Sequence, residues 1–447
     1  MSALRHISAA QSAPEPVQAG QVATPYMGLA PFLRMSIAGI DLQPLAQQLL
    51  ERAQRSGDDA NLWMNLSIAM LCLGQREHGL AIQAKALQIT RHYHISAAQQ
   101  PAKLRLLMLM APGDVAANTP LECLLEHSDV DLDLYYLSDT HADALWDVPS
   151  HDVLVVALSE AQEHRRMLLA LEQTLARWPK PVINAPQHIP RTGRAWASAL
   201  LQGAPGLLIA PTLHLQRVQL QATATGDAPM PERDDCDFPL IVRPMGSHAG
   251  RDLDRVENAP ALAAYLERVA GDDFFVSRFI DYSDEDALFR KFRIALIDGQ
   301  AFACHMAVSS HWMVHYVNAG MYEDANKRAQ EAQFMAQFAA FEQRHRLALK
   351  AIYERTELDY LCIDCAQTRS GELLVFEIDH AMVVHAMDSE QLFAHKQTHM
   401  QKVKAAFRDA LVRRVHGHGD RAGTSIGREN RAASAQTVPD WQRPAAW

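Results

Sequence analysis

The chain has 447 residues, 48% of them apolar and 21% charged, with 42 basic against 52 acidic side chains and a formal net charge of −10. At ~100–200 residues per domain this makes two or three domains with cores of their own, and excludes wholesale disorder and fibrous repeats. Mild acidity without a basic stripe speaks against a nucleic-acid partner, and no apolar run approaches the ~18 residues of a membrane span. Six cysteines scattered over such a length are not a disulfide framework. With no apolar leader at the start, the expectation is a soluble, cytoplasmic protein.

Residues 1–35 open with Ala, Ser, Pro and Gln and few large apolar side chains, so they read as a loose arm that cannot offset its ordering cost. Between Ile40 and Ile95, Leu45, Leu49, Leu50, then Trp63, Leu66, Met70, Leu73, then Leu80, Ala84 and Leu87 recur at spacings of three and four. That is the period of amphipathic helices, and Gly74 suits the turn between two of them. Trp63, Leu66, Gly74 and Ala86 match part of the tetratricopeptide spacing, from which Ser67, Met70 and Gly79 depart. One such unit cannot bury its own face. Residues 36–100 are therefore read as a tetratricopeptide-like helical hairpin that docks on the rest, with a peptide or a homodimer partner as its further uses.

Over residues 101–210 the pattern alternates. Strands are expected at 104–110, 132–136, 153–156 and 181–184, a turn at 112–114, and helices at 120–127 and 160–178. Strands alternating with helices make an α/β layer with a mainly parallel sheet. From 415 to the end the composition returns to that of a loose tail.

Residues 211–414 carry the chemistry. The stretch 238–253 is a strand, a basic residue and a flexible loop. Gly246 and Gly250 let backbone amides approach an anion, Ser247 and His248 add donors, and Arg243 can take phosphate oxygens. By itself this is more often a plain glycine hairpin. Further strands follow at 274–281 and 289–300, a long helix at 325–356, and two strands at 358–365 and 373–379 joined by a turn at Ser370-Gly371.

Lys291 and Arg293 are two apart on a strand and share a face, which either lies exposed or holds an anion. Asp364, Glu377 and Asp379 are expected to converge if their two strands pair antiparallel. Three unpaired carboxylates would repel by ~4 kcal/mol per close pair at moderate dielectric, so they call for Mg²⁺. His305, His311 and His315, with Trp312 and Tyr316, read equally as a substrate pocket or as packing. Cys362 and Cys365 point to opposite faces of a strand and read as core thiols rather than a zinc or redox pair.

This order of motifs resembles the ATP-grasp superfamily, near its glutathione-synthetase and glutamate-ligase members, over residues 104–414. The resemblance implies two subdomains, 211–282 and 283–414, that clamp ATP. Arg243 stands where a phosphate-binding lysine is usual, Gly246 to Gly250 form a mobile flap, and Arg217 stands in for an upstream lysine. Val276 to Ile280, with Ser277, Arg278, Phe279 and Ile280 as the nucleotide contacts, form the adenine hinge, with Arg278 in place of a glutamate. Asp284 is a ribose candidate. Arg293 contacts the transferred phosphate, and Lys291 replaces an acidic residue. Asp364, Glu377 and Asp379 hold Mg²⁺, the last in place of an asparagine.

The implied activity is an ADP-forming carboxylate–amine ligase working through an acyl phosphate on small-molecule or peptide substrates. The alternative is a nucleotide-binding scaffold without turnover.

Overall fold

The computed structural model describes residues 24–138, 145, 147–230, 237–247 and 250–422, with side chains as far as Gly417. The loose arm of 1–35 lies largely outside the described residues, but it ends earlier than expected. Leu29–Ile37 is helix α1, because Leu29, Ala30 and Phe32 bury one face of it. Helices α2 (Gln43–Arg55), α3 (Ala60–Cys72) and α4 (Arg76–Ile89) follow. Asp59 starts α3 by accepting from the amides of Asn61 and Leu62, which supplies the partners that the helix end lacks.

Two of the three departures from the tetratricopeptide spacing, Ser67 and Gly79, are where α3 meets α4. The Ser67 hydroxyl donates to the Gly79 carbonyl at 2.8 Å, and a Cβ on Gly79 would lie 2.7 Å from Leu71 Cδ2. These helices are not an appended hairpin. Leu62, Met64 and Leu66 share one core with Leu106, Leu132 and Val153 of the sheet beside them.

That sheet is built from β1 (His92–Ile95), β2 (Leu104–Met110), β3 (Val130–Tyr136), β4 (Val153–Val156) and β5 (Val182–Ile183) in the order β1-β3-β2-β4-β5. All its neighbours are parallel except β1, which comes from the end of the stretch read as helical and pairs antiparallel with β3. The connections include α5 (Leu121–Leu125) and α6 (Arg165–Leu175), and α7 (Arg194–Leu201) follows β5. Successive residues of β2 serve opposite layers: Leu106 and Met108 face the N-terminal helices, Leu107 and Leu109 the layer with α6.

β6 (Leu207–Leu208) leaves this unit and pairs with a later sheet. Next come β7 (Thr212–Gln216), α8 (Arg217–Thr225), β8 (Leu240–Pro244), β9 (Asp254–Val256), α9 (Ala259–Arg268) and β10 (Asp273–Arg278). The four strands form an antiparallel sheet, β7-β10-β8-β9, over a core of its own. Arg217 is not an upstream phosphate ligand. Its guanidinium donates to the carbonyls of Leu266, Val269 and Gly271 and so closes the end of α9.

The last unit contains β11 (Phe289–Ile297), β12 (Gln300–Ser309), α10 (Ala325–Ala336), α11 (Phe338–Thr356), β13 (Tyr360–Gln367), β14 (Leu373–Asp379) and α12 (Ala394–Ala422). Its sheet runs β12-β11-β13-β14-β6. The expected long helix breaks at Gln337 into α10 and α11. Glu331, fully buried on α10, accepts from the Met306 amide of β12 and the Tyr316 hydroxyl, which ties α10 to that edge strand. Meanwhile α11 packs Phe341, Leu349 and Ile352 on the sheet's other face.

α12 runs to Ala422, past the expected start of the loose tail. Cys362 and Cys365 are buried in different cores, as strand alternation requires. Among the described residues no helix is long and apolar enough to cross a membrane.

Replacing Gly79 by Leu is expected to force α3 and α4 apart and cost ~1–3 kcal/mol by overpacking. Urea denaturation measures this, and an unchanged midpoint would show that the contact is not tight.

Candidate functional site

The antiparallel sheet β7-β10-β8-β9 and the sheet β12-β11-β13-β14-β6 both line a cleft of about 300 Å³. The first contributes Arg243 of β8, Ser277 and Arg278 of β10, and Phe279 and Ile280 just after it. The second contributes Lys291 and Arg293 of β11, Asp364 of β13 and Glu377 of β14. The cleft is completed by Arg194 at the start of α7, by Gly250, and by the 312–315 loop with Trp312, Met313 and His315.

Strand geometry makes the floor. Arg293 sits opposite Asp364, and Asp364 opposite Glu377, across two antiparallel pairings. On this face of β11, Ala295 and Ile297 lie in the buried core, whereas Lys291 and Arg293 occupy the cleft end. Asp364 is 3% exposed and holds both cations: Arg293 Nε to Oδ1 at 2.7 Å, Arg293 Nη2 to Oδ2 at 3.0 Å and Lys291 Nζ to Oδ2 at 2.8 Å. Burial would raise this carboxyl, but Arg293 and then Lys291 overcome it and hold it far below the usual carboxylate range.

The expected three-carboxylate metal cluster does not assemble. Asp364 is occupied by Lys291 and Arg293, and Glu377 is paired with Arg194. Asp379 does not line the cleft, and its Oδ1 accepts from the Ala381 amide. Among the described residues no three His, Cys, Asp or Glu side chains are grouped to hold a metal ion. What the floor can offer is narrower: magnesium commonly takes one or two carboxylates and completes its shell with phosphates and water, and Glu377 is on the cleft wall.

Arg243 is 6% exposed. Its Nη2 donates to the Ser247 carbonyl and, at 3.1 Å, to the Ser247 hydroxyl. Its buried Nε has no hydrogen-bond partner among the described residues. Burial, then the nearby Arg194 guanidinium, pushes Arg243 down to about 10, so it remains charged at neutral pH. Ser247 thus acts through Arg243 and does not line the cleft.

Gly246 (φ 71°) shapes the turn without lining the cleft, and His248 lies outside the described residues. Gly250 (φ 72°) meets the opposite wall, where a Cβ would lie 2.7 Å from His315 Nε2. Only glycine allows both that backbone and that approach. Tyr282 donates to the Trp312 carbonyl, and the Trp312 ring meets Phe279 edge-on at 5.8 Å, so the 312–315 loop is anchored beside the end of β10.

Three other expectations need correction. Asp284 does not line the cleft, and its carboxylate is held by Arg290 at 2.6 Å. His311 is exposed and accepts from the Met313 amide, so it shapes its own loop. His305 lies behind Arg293, in a separate cavity.

Two charged groups were missed, Arg194 in the cleft and Glu160 outside its lining. Arg194 stands far upstream of any motif. Its one sequence signal is its place at the start of a helix after a glycine. Glu160 follows β4, near enough to Asp379 for their charges to interact; burial first and Asp379 second push it up to about 7.

No protein-family model matches the chain, and no curated protein matches it. Solved structures do. The D-alanine–D-alanine ligase of Bacillus anthracis complexed with ATP is 14% identical, with 70% of this chain and 99% of that one covered, at a TM-score of 0.41. The ATP-grasp ligase PsnB complexed with precursor peptide PsnA2 and AMPPNP is 13% identical, over 71% and 99%, at 0.38. A RimK-domain ATP-grasp protein of Sphaerobacter thermophilus is 15% identical, over 69% and 99%, at 0.40. At such identities and scores the chemistry has to come from the cleft's own residues.

Glu160 offers a test of the site's electrostatics. A carboxyl raised in the fold from 4.5 to about 7 contributes stability that is full below about pH 4.5 and lost as the pH rises through about 7. Glu160→Gln should therefore raise the melting temperature at pH 8 and change it little at pH 4.5. An equal shift at both values would show that the Glu160 carboxyl is not raised in the fold.

Proposed function

We propose that the chain is an ATP-grasp enzyme, an ADP-forming ligase that joins a carboxylate to an amine. The observation that carries this reading is the charge of the cleft. Arg194, Arg243, Arg278, Lys291 and Arg293 line it against only Asp364 and Glu377, a surplus of three positive charges (five minus two), and the buried Arg243 Nε is unpartnered. A polyanion satisfies that surplus. The same cleft has Phe275, Phe279, Ile280 and Trp312 in its lining, which suit a flat aromatic base. A nucleoside triphosphate has both parts.

In this reading Arg243 and Arg194 take phosphate oxygens, and the Gly250 flap closes toward His315. The substrate carboxylate attacks the γ-phosphorus, the bond to the β-phosphate breaks, and ADP leaves. The amine nitrogen then attacks the acyl carbon, the carbon–oxygen bond to phosphate breaks, and the amide forms as the nitrogen gives up its proton. Arg293 and Lys291 face this exchange as fixed cations, because Asp364 has already oriented them. A magnesium ion, held by Glu377 together with phosphate oxygens, would supply further charge neutralisation.

A second reading, a nucleotide-binding scaffold without turnover, is favoured by one observation: Asp364 is occupied by Lys291 and Arg293 rather than open to a metal.

Turnover separates the two. ATP with the correct carboxylate and hydroxylamine should give ADP, phosphate and a hydroxamate, read by chromatography and by the ferric-hydroxamate colour. AMP and pyrophosphate would overturn the acyl-phosphate route, and nucleotide binding without any product would favour the scaffold.

The flap gives a second test. Gly250→Val should weaken ATP by about tenfold, ~1.4 kcal/mol, and ADP much less, because the lost approach lies near the γ end. Equal weakening of both in calorimetric titrations would show that the loop does not close on the triphosphate.

A further inference from the structure

Behind the cleft lies a second, smaller cavity of about 110 Å³, and Arg293 belongs to the wall of both. It is lined by Cys304 and His305 of β12, by Val383, Val384, His385 and Asp388 after β14, by Tyr316, and by Lys396 near the start of α12.

Its full charges are already matched. Lys396 Nζ lies 2.6 Å from Asp388 Oδ2 and 3.7 Å from Glu331 Oε1, while Arg293 is paired with Asp364. Both Asp388 oxygens are taken, one by Lys396 and the other by the Tyr322 hydroxyl at 2.6 Å.

What remains unmatched is donors. His385 Nδ1 accepts from the Met387 amide at 3.2 Å, which leaves the ring proton on Nε2, where no acceptor stands among the described residues. The His305 ring rests on Tyr316 with centroids 4.8 Å apart and makes no ring hydrogen bond among those residues, so it offers a second N–H. Both imidazoles are uncharged at neutral pH. Burial is the main cause for each, Arg293 and Lys396 add to it, and His385 comes down to about 4 although Asp388 opposes the shift.

Neutral donors suit an acceptor oxygen, and of the charged side chains in the lining the cations Arg293 and Lys396, each already paired, outnumber the one anion Asp388, so that acceptor can be a carboxylate; Val383 and Val384 add apolar wall where a short tail would lie. The space admits a few non-hydrogen atoms and no polypeptide.

We propose that this cavity is the subsite for a short-chain carboxylic acid, bound as its carboxylate by His385, His305 and the Arg293–Lys396 side. The acid is thereby placed behind the arginine that faces the nucleotide cleft. This inference rests on the ligase reading and narrows it: the acid to be activated is small, and is not the end of a peptide chain.

Ligand-observed saturation-transfer NMR on the full chain, with propionate as the probe, tests it with and without a non-hydrolysable ATP analogue. Propionate should bind, acetate should compete, and hexanoate and a tripeptide should not. Val384→Phe, which fills the cavity, should abolish the signal. His385→Ala, which removes a donor but leaves room, should weaken propionate at least tenfold, and both variants should keep the ATP analogue. Propionate binding that survives both substitutions, or competition by the tripeptide equal to that of acetate, overturns the proposal. If the protein binds propionate as described but no ATP analogue, the cavity assignment stands and the ligase reading falls. Should Val384→Phe fail to fold, His385→Ala decides alone.

Discussion

A carboxylate buried between two cations organises the site. Asp364 has almost no contact with solvent, and alone it would pay a large desolvation penalty as an anion. Lys291 and Arg293, two residues apart on the neighbouring strand, remove that penalty by pairing with it. Breaking such a buried pair typically costs ~3–5 kcal/mol, so the three side chains stand or fall together. Fixing the cations costs nothing further when a ligand arrives, which is the condition for electrostatic preorganisation.

The same triad divides the sheet face on which it lies. Toward one end, Ala295, Ile297 and Tyr360 continue into the apolar core under α12; toward the other, the floor is charged and open. A strand can carry both because alternate residues share a face whatever their chemistry. The opposite face remains apolar throughout, with Phe292, Ile294 and Leu296 against α11, so the charged end is backed by rigid packing. The two cavities share Arg293 in their walls.

Much of this was legible along the chain. The pairing of residues 360–367 with 373–379, the shared face of Lys291 and Arg293, and the opposite burial of Cys362 and Cys365 all follow from the two-residue period of a strand. The strand–loop–strand around Arg243 could likewise be placed, since a glycine-bearing turn between extended runs marks it locally. Asp284 misled because an acidic turn looks the same whether it faces a ligand or an arginine six residues on.

Composition and spacing, then, determined the α/β class, the strand pairs and which side chains share a face, because these depend on residues near in sequence. Partner choice among charges was decided only by the tertiary structure. The strand order β12-β11-β13-β14 put Arg293 beside Asp364, and the start of α7 brought Arg194 to Glu377 from 183 positions away. A carboxylate's function depends on what neutralises it. That neighbour is set by packing between distant segments, which no local period encodes.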